Sequence, residues 1–347
     1  MKYSNVWLES VGYELAPVVV SSQELEARLQ PAYTALHIAP GQLQALTGIQ
    51  ERRWWRERAT ISQGAIAAAR KAMLGQTFGV QDLGAVIYTG VCREHYEPAT
   101  ACQVAAALGV HGHAAVYDLS NACLGMLSGM LDIANRIELG YIRAGMVVAC
   151  ESSREINETM LEQLNQHPTI ERFTTTLATF TGGSGAAAII LSDGSFSDTP
   201  KPRLLGGVQL AEPQHHELCR WGTETLTSNH VQPYMRTDAV GVMNHGVALG
   251  KQTWQAFCEE IGWRASDVDR TICHQVGEGH RQTILQTLGL NMENDFITYP
   301  YLGNMGTVSL PITAAIAQER GKVQQGHRVA MLGIGSGLNC MMLAVQW

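Results

Sequence analysis

The stretch AAVYDLSNACLGMLSGMLDIANRIELG (residues 114–140) contains the transition on which the fold prediction rests. AAVYDL (114–119) predicts a buried strand, and CLGMLSGMLDIANRIELG (123–140) has apolar residues at helical spacing. Cys123 therefore lies where a strand ends and a helix begins. A thiol at a helix N-terminus meets the positive end of the helix dipole, which favours the thiolate and lowers its pKa. The position makes Cys123 a candidate nucleophile; a small buried cysteine is the alternative.

Short β-rich runs alternate with helical stretches on both sides of this segment. Further buried strands are predicted at AVIYTGV (85–91), AGMVVACES (144–152) and AAAIILSD (186–193), a helix at PATACQVAAALG (98–109), and a capping box at Ser21 and Glu24 that opens an earlier helix. This alternation predicts a layered α/β fold built from βαβ units.

The second half of the chain repeats the order of the first. After Asn304, the helical segment TVSLPITAAIAQERG (307–321) precedes the strand RVAMLGIGSG (328–337), as the helix after Cys123 precedes AGMVVACES. Duplication of one unit also explains the length of 347 residues, which exceeds one ordinary domain core. We place the boundary at the Pro-rich segment that starts at residue 197, giving halves 1–196 and 197–347.

The composition excludes some classes of partner. Charged residues make up only 16% of the chain, against roughly 25% in a typical globular protein, so much surface is expected to be hidden in a large core or against a second subunit. The net charge of −7 argues against nucleic acid, which requires clustered Lys and Arg. The one basic cluster, ERRWWRER (51–58), is either a solvated amphipathic edge or an anion site.

The cysteine pattern predicts a reducing compartment. The eight cysteines include no CxxC pair, and there is no N-terminal apolar h-region, which indicates reduced thiols in a cytoplasmic protein. No apolar run approaches the roughly 18 residues that span a bilayer. HQVGEGH (274–280) lacks the HExxH spacing and has no accompanying thiolate pair, so no metal site is expected.

Three further stretches carry residues suited to thioester chemistry. His274, in ICHQVGEGHR (272–281), follows an apolar segment and so lies at a strand end, where α/β folds collect their sites. Asn304 lies in the glycine-containing stretch YLGNMGTVSLP (301–311), ahead of a helix. His exchanges protons, and Asn is a neutral donor for an oxyanion or enolate. Taken separately, a satisfied core histidine and a turn asparagine are the better interpretations.

The Gly-rich stretch GIGSGLNCMM (333–342) is the third. A strand-like run follows it instead of a helix, so the dinucleotide-binding fingerprint does not apply. A tight turn that places backbone N–H groups against a substrate carbonyl fits better, with an ordinary hairpin as the alternative.

Together these residues resemble the thiolase superfamily, in the branch of β-ketoacyl synthase III and the OleA-type condensing enzymes. The resemblance covers nearly the whole chain through TGIQERRWW (47–55), EPATACQVAAALG (97–109), YDLSNACLG (117–125), ICHQVG (272–277), GNMGTVSLP (303–311) and LGIGSGLNCMMLAVQW (332–347). It implies a five-layered αβαβα fold formed by duplication, and a homodimer. It also implies that Cys123, His274 and Asn304 are catalytic and that the backbone N–H groups of Cys123 and Ser336 form the oxyanion hole.

The sequence departs from the β-ketoacyl synthase III pattern at three places. HQVG replaces the usual HQAN, and Glu97 in GVCREHYEPATA (90–101) stands where an aromatic residue usually precedes the proline. OleA-type enzymes carry a glutamate there, delivered into the partner subunit's site as the proposed base. The tryptophan and arginine that hold the coenzyme A adenine in β-ketoacyl synthase III have no match in QLQALTGI (42–49).

The resemblance thus implies an acyltransferase of lipid metabolism whose substrates are thioesters of coenzyme A or acyl carrier protein, with no other cofactor. An acyl group loads Cys123, and a Claisen condensation with a second thioester gives a β-keto product. Leu127, Met130 and Leu131 share the helical face of Cys123 and are candidates for lining an acyl slot, or simply for core packing.

Glu97 decides between two routes in this scheme. As a base it favours OleA-like, non-decarboxylative condensation of two fatty acyl-CoAs; a surface Glu before Pro98 at a helix start is the structural alternative. Decarboxylative 3-oxoacyl synthesis from malonyl carrier protein in fatty acid biosynthesis, acyl-CoA hydrolysis by a thioesterase, and acyl binding without catalysis remain open at this point.

Overall fold

The computed structural model describes residues 1–196, 199–227 and 230–347. Its strands are β1 (Trp7–Leu15), β2 (Val18–Ser21), β3 (Glu51–Trp54), β4 (Leu83–Tyr88), β5 (Ala115–Asp118), β6 (Ala144–Glu151), β7 (Gly185–Ser192), β8 (Arg203–Ala211), β9 (Cys219–Thr227), β10 (His230–Thr237), β11 (Arg270–Cys273), β12 (Arg328–Gly335) and β13 (Asn339–Gln346). Its α-helices are α1 (Ser22–Arg28), α2 (Gln30–Leu36), α3 (Gln42–Thr47), α4 (Ile61–Met73), α5 (Thr100–Leu108), α6 (Gly125–Glu138), α7 (Arg154–Gln166), α8 (Ile170–Thr176), α9 (Ala239–Ile261), α10 (Glu278–Leu288), α11 (Tyr299–Leu302) and α12 (Ser309–Glu319).

Nine strands form one sheet in the order β11-β12-β13-β8-β1-β7-β6-β4-β5. In the first half β4 runs parallel to β5 and β6, and the pairs β6–β7 and β7–β1 are antiparallel. The second half repeats this order: β11 runs parallel to β12, and β12–β13 and β13–β8 are antiparallel. A parallel bridge between Thr271 and Asp295 stands where the first half has the β4–β5 pairing. The topology confirms the predicted duplication.

Helices cover the sheet in the predicted five layers. Buried alanines of α4 and α5 pack against β4, β6 and β7 on one outer side. Helices α9 and α10 pack against β12 and β13 on the other. Helices α6 and α12 lie in the middle and share one apolar core with strands of both halves. The architecture is therefore αβαβα, with the two central helices between the two halves of the sheet.

Two small sheets stand outside this frame. Strands β2 and β3 form one of them and lie between β1 and α4 in chain order. Strands β9 and β10 form the other and lie between β8 and α9 in chain order. Each pair follows the first strand of its half and precedes the helix that covers that half. Both are excursions from the duplicated unit and not parts of its main sheet.

The predicted elements around Cys123 are present with slightly shorter bounds. The Ser21 hydroxyl accepts a hydrogen bond from the N–H of Glu24 at 3.0 Å, as expected for the cap of α1. The predicted domain boundary falls at Ser197 and Asp198, outside the described residues, and it stays a prediction. None of the described helices is long and apolar enough to cross a membrane.

The start of α6 is held tightly between the two halves. A Cβ atom built on Gly125 would lie 2.2 Å from the backbone oxygen of Thr89 at the end of β4. The N–H of Met126, one residue further on, donates to the hydroxyl of Thr307 at 2.6 Å, and this bond is buried. Only glycine allows the helix to approach the strand end this closely.

We expect Gly125→Ala to lower the free energy of unfolding by about 1–3 kcal/mol, because overpacking against backbone cannot be relieved by a rotamer change. Urea unfolding followed by circular dichroism measures this. Gly279→Ala in α10 is the control: no atom lies within 4 Å of its added Cβ, so alanine should leave stability unchanged or raise it by up to ~1 kcal/mol. Equal stabilities for the two variants would contradict the close approach.

Candidate active site

A cavity of about 550 Å³ opens between the two halves of the molecule. Cys123, His274, Asn304 and Ser336, the four predicted site residues from separate parts of the chain, all line it. Glu97, the fifth, does not line it. The ends of β5, β11 and β12, together with the turn before α12, bring these residues to one place.

Cys123 lies in a single 3-10 turn, Ala122–Leu124, between β5 and α6. Ala122 has a φ of 44°, a left-handed conformation that is strained for a non-glycine residue and that turns the chain sharply before the cysteine. A Cβ atom built on Gly335 would lie 3.5 Å from the backbone N of Cys123. The Gly-rich segment that contains Ser336 thus runs close to the backbone N of Cys123, and the predicted oxyanion hole formed by their N–H groups stays a prediction.

The helix-start position of Cys123 predicts a lowered thiol pKa, and this prediction is wrong. Burial raises the pKa of the Cys123 thiol to about 12, and Cys219 and Glu151 raise it further. Desolvation of a thiolate outweighs the helix dipole here, because half-buried Cys123 lines a largely apolar cavity between the two halves. The resting residue is therefore a neutral thiol, which must lose its proton as it attacks.

His274 directly follows β11, and its neighbour fixes the local backbone. The buried Oε1 of Gln275 accepts hydrogen bonds from the N–H groups of Thr298 at 2.8 Å and Tyr299 at 3.0 Å. Its Nε2 donates to the carbonyl of Cys273 at 2.6 Å. These bonds tie the end of β11 to the segment that leads to Asn304. Burial lowers the pKa of His274 to about 3, so its imidazole is neutral at physiological pH.

Asn304 is oriented by the turn that contains it. Its Oδ1 accepts a hydrogen bond from the N–H of Gly306 at 3.1 Å, which leaves Nδ2 as a donor. Its backbone N–H donates to the carbonyl of Thr181 at 2.8 Å, and its carbonyl accepts from Gly183 at 2.9 Å. Gly306, with a φ of 57°, supplies the left-handed residue that the turn needs. The amide is thus fixed against the first half, in the same cavity as Cys123.

Glu151 lines the cavity as well, although the sequence did not single it out. Its carboxylate accepts hydrogen bonds from the N–H groups of Val91 at 3.0 Å and Cys92 at 3.2 Å. Burial raises the pKa of Glu151 to about 7, and those hydrogen bonds limit the rise. Glu151 ends a strand in which every residue is buried, and an acidic residue at such a strand end was the available signal.

Glu97 lies on the exposed loop that follows β4 and does not line the cavity of its own chain. The start of this loop is anchored by the two hydrogen bonds to Glu151. Tyr96 beside it is fully exposed, which is unusual for an aromatic side chain. Any action of Glu97 on a substrate therefore has to take place outside its own subunit's cavity.

Of the two roles open to this apolar face of α6, lining an acyl slot or packing in the core, the structure shows core packing. Leu127, Met130 and Leu131 do not line the cavity; they belong to the buried core that α6 shares with the sheet. Helix α6 turns this face toward the inner core, so ordinary packing is their role. The hairpin β9–β10 supplies cavity wall instead, through Cys219, Trp221 and Tyr234 among others, together with residues from 178–183.

One group of described side chains has ligand atoms close enough to suit a metal ion. Atoms of Glu212, His215 and His245 lie within 4.8 Å of one another. The rings of His215 and His245 stack with centroids 3.8 Å apart, so their in-plane lone pairs do not converge on one point. None of the three lines the cavity. Within the described part of the chain, no such group stands beside Cys123.

Comparisons with known proteins agree with this geometry. Residues 258–347 match the family described as 3-oxoacyl-[acyl-carrier-protein (ACP)] synthase III C terminal. The chain is 55% identical to an acyl-CoA:acyl-CoA alkyltransferase of Shewanella oneidensis and 33% identical to one of Xanthomonas campestris, each over 100% of both chains. A crystal structure of cerulenin-bound Xanthomonas campestris OleA superposes with a TM-score of 0.94 at 34% identity, covering 100% of this chain and 98% of that one.

Fold, cavity and relatives together define a condensing enzyme with the thiolase fold, of the acyltransferase class. Within that class, the chain belongs to the acyl-CoA:acyl-CoA alkyltransferase family, the OleA enzymes, which is related to β-ketoacyl synthase III.

The raised pKa of Glu151 predicts a pH dependence of stability. Its folded pKa of about 7 exceeds the unfolded value of 4.5, so the folded state binds more protons between these values. The protonated carboxyl group of Glu151 therefore stabilises the folded state at low pH, and this contribution is lost as the pH rises through 7. Buried His274 and His280 act in the opposite direction, since acid charges them only on unfolding.

We therefore compare wild type with Glu151→Gln. The free energy of unfolding of the variant, relative to wild type, should rise by about 2–3 kcal/mol between pH 5 and pH 8, because only the wild type buries an ionised group at high pH. Urea unfolding at a fixed protein concentration measures the difference, and the two histidines cancel in it. Glu155→Gln, whose carboxylate does not line the cavity, is the control; a pH-independent difference for Glu151→Gln would contradict the prediction.

Proposed function

We propose that this chain joins two acyl-CoA molecules by a Claisen condensation without decarboxylation, carrying the first acyl group on Cys123. The observation that carries the proposal is one cavity lined by Cys123, His274 and Asn304 in a chain that matches an acyl-CoA:acyl-CoA alkyltransferase over its full length. A thiol, a neutral imidazole and a carboxamide are the groups that the two half-reactions need.

The first half-reaction transfers an acyl group to Cys123. The sulfur attacks the thioester carbonyl, a carbon–sulfur bond forms, and coenzyme A leaves as its thiol after taking up the proton that Cys123 gives up. Because the pKa of Cys123 is raised, deprotonation accompanies the attack and does not precede it. The N–H groups of Cys123 and Ser336 stabilise the oxyanion, in keeping with the turn that runs against the cysteine.

The second half-reaction makes the carbon nucleophile. The carbonyl oxygen of a second acyl-CoA accepts hydrogen bonds from the N–H of His274 and from Nδ2 of Asn304. A base removes an α-proton, and the negative charge develops on that oxygen as an enolate. The α-carbon attacks the acyl group on Cys123, and the carbon–sulfur bond breaks. The departing sulfur takes up the proton that the base removed, which gives a β-ketoacyl-CoA, the free thiol and the regenerated base. Neutral donors suit this step because they stabilise the enolate without having to be protonated first.

Glu97 of the partner subunit is the base in this proposal, and the enzyme acts as a homodimer. Glu97 is exposed on its own chain, next to a fully exposed tyrosine, as a loop that enters a neighbouring subunit would be. Solved variants of Xanthomonas campestris OleA include changes at a cysteine and at a glutamate 26 positions before it. Glu97 and Cys123 stand 26 positions apart as well.

Decarboxylative condensation is the second candidate. The C-terminal family match and the relatives named β-ketoacyl-[acyl-carrier-protein] synthase III, for example 28% identical over 87% of this chain in Clostridioides difficile, favour it. In that reaction carbon dioxide leaves from a malonyl thioester, so no base is required and Glu97 has no role.

The compartment is also part of the proposal. All eight cysteines are in the described part of the chain and all are free thiols. We infer that the enzyme works in the reducing cytoplasm.

The test offers the enzyme lauroyl-CoA alone and, separately, lauroyl-CoA with malonyl carrier protein, and identifies products by mass spectrometry. From lauroyl-CoA alone we expect an acyl adduct on Cys123 and a β-keto product. Cys123→Ala should form neither. Glu97→Gln should keep the adduct and lose at least ~100-fold in condensation rate, the usual contribution of a general base.

The control is Glu94→Gln, which changes a carboxylate of the same loop that is bonded within its own chain to the N–H of Ser62. Condensation at the wild-type rate by Glu97→Gln would exclude Glu97 as the base. A product formed only with malonyl carrier protein would establish the second candidate instead, and release of free fatty acid alone would indicate a thioesterase.

A further inference from the structure

His280 is a buried histidine that the mechanism above does not use. It lies in the first turn of α10 and is 9% exposed, yet neither ring nitrogen has a hydrogen-bond partner among the described residues. His274 is 5% exposed, and its Nδ1 is also buried and without a hydrogen-bond partner among the described residues. Buried polar atoms are nearly always hydrogen bonded, so three such nitrogens close together require an explanation.

A second, small cavity of about 20 Å³ connects the two histidines. The rest of its lining is glycine, cysteine and aliphatic residues: Gly246, Gly250, Cys273, Ile284, Leu332, Gly333, Ile334, Cys340 and Met342. Its volume suits one water molecule, which needs at least about 10–15 Å³ and two or more polar partners. The two imidazoles are the strong polar partners that this lining offers.

His274 lines both cavities, so its imidazole forms part of the wall between them. Nδ1 is sealed from solvent, and the ring also contributes to the surface that faces Cys123. The small cavity has no charged side chain among its lining residues; Cys273 of β11 and Cys340 of β13 are its other titratable groups. Burial lowers the pKa of His280 to about 4, so both histidines are neutral at pH 7.

A neutral imidazole has one N–H donor and one acceptor nitrogen, and the hydrogen bond at one nitrogen decides where the proton resides. For His274 to donate from Nε2 to an enolate oxygen, Nδ1 must be the acceptor. A water molecule that donates to Nδ1 enforces this tautomer. The same water can accept the N–H of His280, which completes a directed chain.

We propose that the small cavity is a binding site for one ordered water molecule that bridges His280 and Nδ1 of His274, and that His280 is a positioning residue that keeps the proton of His274 on Nε2. This inference rests on the proposed function of His274 as an enolate-stabilising donor. It concerns only the second half-reaction, because acylation of Cys123 uses backbone N–H groups instead.

The experiment compares His280→Leu, which removes both nitrogens, with His280→Asn, which keeps a donor and an acceptor. Ile284→Val, a change at an apolar residue of the same cavity, is the matched control. Three quantities are measured: the rate of acyl adduct formation on Cys123, the condensation rate at saturating lauroyl-CoA, and the tautomer of His274 from the ¹⁵N shifts of histidine-labelled protein at pH 7.

For His280→Leu we expect adduct formation within twofold of wild type, condensation slower by about tenfold, and a shift of His274 away from the Nε2–H tautomer. His280→Asn should recover most of both losses, and Ile284→Val should resemble wild type. An unchanged tautomer in His280→Leu overturns the proposal, whatever happens to the rate, because a purely structural role would slow the enzyme without moving the proton.

Two further outcomes separate this inference from the proposed function. If wild type gives no condensation product, the mechanism fails, yet the tautomer measurement still decides whether the water bridge exists. If His280→Leu does not fold, His280→Asn and wild-type protein carry the test. A wild-type His274 that is protonated on Nδ1 at pH 7 contradicts the bridge without any variant.

Discussion

One buried hydrogen bond, from the N–H of Met126 to the hydroxyl of Thr307, holds the two halves of the site in register. Met126 lies three residues after Cys123, and Thr307 lies three residues after Asn304. The bond therefore links the nucleophile to the carboxamide across the centre of the molecule. Thr307 also caps an N–H at the start of α6 that the helix itself cannot satisfy. Gly125 permits this contact by bringing the helix against the end of β4.

Desolvation sets the electrostatic character of the cavity. It raises the pKa of Cys123 and Glu151 and lowers the pKa of His274, so each of these groups is driven toward its uncharged form. A site of this kind binds a neutral thioester without opposing ions. Its fixed N–H donors stabilise charge that appears only during the reaction. Such donors are most effective in a low-dielectric environment.

Local patterns placed each candidate site residue at the end of an element, but only the resemblance of the whole chain to a known family joined them into one predicted site. Cys123, His274 and Asn304 follow apolar runs or glycine turns that the sequence displays directly. The ionisation of Cys123 was not predictable, since the dipole is a local feature whereas burial depends on contacts between distant segments. The choice between an acyl slot and core packing for α6 was left open for the same reason, and the role proposed for Glu97 needs a second chain that one sequence does not display.

Strands β9 and β10 form a two-stranded sheet of their own, as β2 and β3 do in the first half. Part of the cavity wall is therefore formed by a two-stranded sheet that pairs with no strand of the nine-stranded sheet. Lengthening or trimming such a sheet alters the room for a hydrocarbon tail while the duplicated scaffold keeps its hydrogen bonds. A change of length in β9 or β10 can therefore alter the size of the cavity and leave Cys123, His274 and Asn304 in place.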